Sequence, residues 1–162
     1  MKRWVITVAA GGLLLAGCSS TGDTDSKADV KPPAAKVYSA VEMQEKWTPV
    51  LQGRSDDMGP MTAAVCMPPA LFTGDCDEAG KALAGDADTL VQEVGGRPGF
   101  SDLLKYAHKV QEARDTYVSR ECQTRPSGAA YTECALAGRT LSLAAQSLLA
   151  GVNAAATDSQ KG

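Results

Sequence analysis

Three observations predict an all-α fold for this chain of 162 residues, an up-down-up-down four-helix bundle built from two disulfide-closed αα-hairpins. No stretch alternates apolar and polar residues in the way a half-buried strand requires. Apolar residues instead recur at helical spacing in two pairs of segments. Each pair is divided by two cysteines, and the division repeats along the chain.

The repeat is clearest in the second helix of each pair. Adding 58 to Cys76, Ala79, Gly80, Leu83, Ala87, Leu90 and Val94 gives Cys134, Ala137, Gly138, Leu141, Ala145, Leu148 and Val152. On a helical wheel Leu83, Ala87, Leu90, Val91 and Val94 form one stripe, as do Leu141, Ala145, Leu148, Leu149 and Val152. Both segments therefore read as amphipathic helices with a cysteine near the first turn. Leu136 and Leu143 fall opposite the main stripe of the last helix. They are expected to pack against residues 37–47 or else to expose a contact surface.

The first helices match at an offset of 56, which carries Cys66 onto Cys122 and sets Trp47, Val50, Leu51, Met58 and Met61 opposite Leu103, Tyr106, Ala107, Arg114 and Tyr117. Ser101 is the expected N-cap of the later copy, after Pro98-Gly99, and its apolar residues run at helical spacing to Cys122. In the earlier copy a short helix is expected over 37–47, with Met43 and Trp47 inward. Thr48-Pro49 then reads as the N-cap and first residue of a second helix, which Gly59-Pro60 should interrupt. The glycine-rich stretch Gly95 to Gly99 is the turn between the two units.

The amino terminus carries an address. Lys2 and Arg3 precede an apolar run from Trp4 to Leu15, and Leu15-Ala16-Gly17-Cys18 closes it. A charged start, an apolar run and small residues before a cut are the parts of a signal peptide. The run is about a dozen residues, short of the ~20 that span a bilayer. The cysteine after the small residues resembles the lipobox of bacterial lipoproteins, and the Ala- and Gly-rich, Lys-poor usage is similar to that of actinobacterial proteins. The resemblance implies a diacylglyceryl group on the Cys18 thiol and cleavage in front of it. The partner so implied is the membrane, through lipid on Cys18. The expected location is the outer face of the cell membrane, or the outer membrane in a host that has two.

Export sets the redox reading of the other cysteines. Cys66, Cys76, Cys122 and Cys134 are even in number, as disulfides require in an oxidising compartment. Four cysteines allow three pairings, and the hairpin architecture selects Cys66 with Cys76 and Cys122 with Cys134. The expected domain organisation is a signal peptide (1–17), a lipidated polar tether (18–36), a helical bundle (37–157, with hairpin units 37–95 and 100–157) and a tail (158–162).

Chemistry is sparse. Losing Lys2 and Arg3 with the signal moves the formal charge from -3 to -5, so no basic stripe is left for nucleic acid. His108, the only histidine, falls on the solvated face beside Lys105 and Glu112. Asp56-Asp57 and the Asp75, Asp77, Glu78 cluster read as helix N-terminal charges. No metal site, cofactor or catalytic residue is expected, and the chain reads as a non-enzymatic binding or accessory module for an envelope protein or cell-wall component. A competing reading, a ligand-binding or sensor bundle or a hydrolase, would use a cleft lined by Tyr38, Trp47, Tyr106, Tyr117 and Tyr131. The apolar loop Met67 to Phe72 has two readings. Leu71 and Phe72 fold back to plug the core, or Met67, Leu71 and Phe72 form a partner patch.

Overall fold

Ser39 starts the first helix. Its hydroxyl accepts the Glu42 N–H at 3.2 Å while the Glu42 carboxylate accepts the Ser39 N–H at 2.8 Å, a reciprocal cap that satisfies two end donors. In the computed structural model, which describes residues 37–59 and 64–161, this helix is α1, Ala40–Met58. The other helices are α2 (Gly74–Val94), α3 (Ser101–Ser119), α4 (Gly128–Ser142) and α5 (Ala144–Ser159). Short 3-10 turns span Ala70–Phe72 and Cys122–Thr124, and the described residues contain no strand.

The expected break at Thr48-Pro49 is absent, because α1 runs through Pro49. Proline inside a helix costs about 3 kcal/mol, since it removes one hydrogen bond and crowds the carbonyl four residues back. That carbonyl belongs to Glu45, an exposed residue, so water can serve it. The opposite face buries Met43, Trp47, Leu51 and Met58. Each contributes about 1.5–3 kcal/mol, enough to override one proline. Gly59, at φ 73°, ends the helix. Asp56 and Asp57 thus lie exposed in the last turn of α1, not at a helix N-terminus. Met61 lies outside the described residues.

Two further local expectations give way. Phe100, not Ser101, occupies the N-cap position of α3, and no side chain caps it. Gly99, at φ 87°, turns the chain so that Phe100 enters the core with the Arg97 guanidinium 4.8 Å from its ring centre. The long last helix is split at Leu143, whose N–H is shared between the Arg139 and Thr140 carbonyls at 3.3 and 3.2 Å. The Ser142 hydroxyl, on the residue just before, donates to the Gly138 carbonyl one turn back at 2.9 Å, a bond of the kind that bends helices. Helix α5 runs on to Ser159.

The stripes survive these changes. Cys76, Gly80, Leu83, Ala87, Leu90 and Val94 are buried, and so are Cys134, Gly138, Leu141, Ala145, Leu148 and Val152. Disulfides join Cys66 to Cys76 and Cys122 to Cys134, the local pairing. The 3-10 turn that follows Cys66 packs against the one that begins at Cys122, so both disulfide loops share one end. Helix α5 packs along α1, while α3 packs against α2, α4 and α5. Between α1 and α2 run charged side chains: Lys46 pairs with Glu93, Arg54 with Asp86 at 2.8 Å, and the Trp47 indole N–H donates to Glu93 at 2.8 Å. The Glu93 hydrogen bond holds the Lys46 ammonium pKa above its ordinary value.

Leu71 closes the core beneath the disulfide end. It is fully buried, and its carbonyl accepts the buried Tyr117 hydroxyl at 2.7 Å. Burial raises the Tyr117 phenol above its ordinary value of 10. The folded chain therefore holds that proton more tightly than the unfolded one. This contribution is complete below pH 10 and is lost as pH rises through the folded value. Replacing Tyr117 with Phe should cost about 1–3 kcal/mol by leaving the Leu71 carbonyl unpaired. It should also flatten the alkaline decline, and urea melts across pH 8 to 11 with unchanged alkaline slope would contradict this account.

Gly138 is a second point of closure. A Cβ there would collide with the Leu71 side chain and the Cys66 carbonyl, and the latter is backbone held by a disulfide. Gly138→Ala should therefore lower stability by about 1–3 kcal/mol. Gly85 is exposed inside α2 with nothing near a Cβ, so Gly85→Ala should raise stability by about 0.5–1 kcal/mol. Thermal melts of the pair check the claim, and equal shifts would refute it.

Candidate functional site

The groups capable of chemistry are dispersed. His108 is exposed on α3. Asp77 holds the Arg114 guanidinium at 2.7 Å, which spends its carboxylate on a link between α2 and α3. Among the described residues no group of three or more His, Cys, Asp or Glu side chains is placed to hold a metal ion. The four cysteines of the helical body are all in disulfides, so none offers a thiol. Among the described residues, no helix is long and apolar enough to cross a membrane. Cys18 lies outside the described residues.

The five aromatics expected to line one cleft do not come together as a set, although Tyr38 and Trp47 share the Lys46 ammonium, 4.6 and 5.4 Å from their ring centres. Tyr117 is buried under the disulfide end with its hydroxyl on Leu71, whereas Trp47 is buried in α1 with its N–H on Glu93. Tyr38 borders a surface groove with Glu93 and Arg97, whose guanidinium donates to the Tyr38 carbonyl. Tyr106 is half-buried against the core, and Tyr131 is 40% exposed on α4. The aromatics divide between core and surface, and periodicity cannot reveal which goes where.

The loop patch of Met67, Leu71 and Phe72 also divides. Leu71 is core and cannot contact a partner. Met67 is half-buried beside a cavity of about 220 Å³ lined by Arg139, Ser142 and Leu143, at the helix break. Phe72 stays half-exposed, its ring 5.6 Å from that of Tyr131, with the Arg125 guanidinium 5.3 Å above it.

This aromatic and arginine platform is the most site-like surface at the disulfide end. Its frame is strained, since Glu121 and Arg125 take φ of 49° and 54° on either side of the Cys122–Thr124 turn. Side chains pay on the order of 1 kcal/mol there, and the Cys122–Cys134 disulfide holds the turn in place. Sequence reasoning missed Arg125 altogether. The one available signal was a basic residue close to the second cysteine pair.

Leu136 does not pack against residues 37–47. It is 63% exposed beside a groove of about 430 Å³ between α3 and α4, whose floor is Ala113 and Ala137. Leu143, by contrast, is half-buried near Met67. Compared with family models, with curated proteins and with solved structures, this chain matches none.

Proposed function

We propose that this chain is a bacterial lipoprotein, held on the outer face of the membrane by lipid on Cys18, whose helical body is a non-enzymatic binding or accessory module of the cell envelope. The observation that carries the reading is the order Lys2-Arg3, apolar Trp4 to Leu15, then Leu-Ala-Gly-Cys18. The two disulfides support it, because such bonds persist in exported chains. Two acyl chains on one cysteine give an anchor far stronger than one, at about 0.8 kcal/mol per buried methylene.

In this reading the helices form an up-down-up-down four-helix bundle of two hairpins, with α4 and α5 together as its broken fourth rod. Ion pairs joining Arg54 to Asp86 and Lys46 to Glu93 support an antiparallel first pair. Those joining Asp77 to Arg114 and Arg120 to Glu133 support the same sense onward. The tether then enters at the end that holds Tyr38 and Arg97. The platform of Phe72, Tyr131 and Arg125 points away from the membrane, where a partner would meet it. Its composition suits that role, since aromatics and arginine are enriched at contact centres.

Mass spectrometry of the protein from membranes should find an amino terminus at Cys18 carrying acyl chains. Cys18→Ala should remove the acyl mass and release the body from its anchor or leave the signal uncut. An unmodified Cys18 in the wild type would end the lipoprotein reading.

A further inference from the structure

We infer that the groove between α3 and α4 is a self-association surface, occupied by the same groove of a second copy of this chain. Three observations on the patch lead there. First, Leu136 is exposed where the fold does not need it: the repeat offset of 58 sets it opposite Glu78, an exposed residue of α2. The same position is thus filled by a solvated acid in one copy of the repeat and by a leucine in the other. Second, the patch holds both a projection and a recess. Leu136 stands beside a floor of two alanines, Ala113 and Ala137, so a leucine from a facing copy has a place to enter. Third, it holds both charges at its ends. Lys109 borders one end on α3, with Glu112 one turn further along the groove, and makes no ion pair among the described residues, while Glu133 borders the other end on α4.

A two-fold contact pairs a patch with itself, so it must contain its own complement. Leucine with recess and lysine with glutamate meet that demand, and each contact occurs twice. Glu133 already pairs with Arg120, but both side chains are largely exposed, 40% and 53%. Such pairs are weak and leave Glu133 open to a second cation. One helix pair makes a small contact, which places the dimer among weak complexes. The contact does not depend on lipid at Cys18.

The test uses the full chain in mild detergent, with two tagged copies and sedimentation to count dimers. Wild type should pair. Lys109→Glu and Glu133→Lys should each weaken pairing about tenfold, the loss of two related contacts. An equal mixture of the two variants should restore it, because every like-charge contact becomes opposite. Leu136→Arg should abolish pairing while helicity and melting stay unchanged, and Cys18→Ala should pair like wild type. Wild type that stays monomeric, or a mixture no better than its parts, would overturn the inference.

Discussion

The close approach of the first disulfide loop to α4 is the constraint on which the rest of the structure depends. At Gly138 the Leu71 side chain and the Cys66 carbonyl press against a helix backbone that has no Cβ to oppose them. The Cys66–Cys76 disulfide fixes the loop that presses, and the Tyr117 hydroxyl satisfies the Leu71 carbonyl from α3. Three chain segments therefore close on one buried leucine. A packed core tolerates little change in volume, so the loop, α3 and α4 keep their register together. The bend at Ser142 and Leu143 begins one turn beyond this contact and lets α5 follow α1.

The repeat makes the same demand twice. Gly80, the partner of Gly138 in the repeat, would place a Cβ 3.1 Å from the Leu141 side chain and 3.6 Å from Arg114. In each copy the glycine after Cys-x-x-Ala is a place where another segment comes in close. The neighbours differ, however. Gly138 meets backbone, which cannot yield, whereas Gly80 meets the ends of side chains, which can.

Much of this was legible in the sequence, and what was not has a common cause. The stripes from Leu83 to Val94 and from Leu141 to Val152 follow from periodicity, since a helix with one apolar face must bury it. The disulfide pairing followed from the hairpin pattern. Continuity through Pro49 was not legible, because local preference ends a helix there and only burial of Met43, Trp47 and Leu51 overrides it. Nor was the break at Leu143, which reflects a serine back-bond close to a contact from a loop distant in sequence. At the disulfide end, composition favoured Leu71 as a plug but left the patch open. The Tyr117 hydroxyl decides between them, and no spacing rule connects those two residues. Arg125 escaped notice because its placement over Phe72 needs a left-handed backbone that the sequence around it does not announce.

The two copies of the unit share what folds them and differ in what they show to solvent. Cysteines, glycines and stripe residues coincide because each is required by packing. Surface positions are free to differ, so a difference there that costs solubility calls for a reason. Glu78 and Leu136 are such a pair, both exposed, one charged and one apolar. Tyr131 stands opposite Thr73 at the same offset and stacks on Phe72. The second copy thus carries both the outward leucine and the outward tyrosine, and the first carries a threonine and an acid at those places. A fold built from a repeated unit can spend one copy on stability and let the other gather contact residues, because the shared stripes hold both in shape.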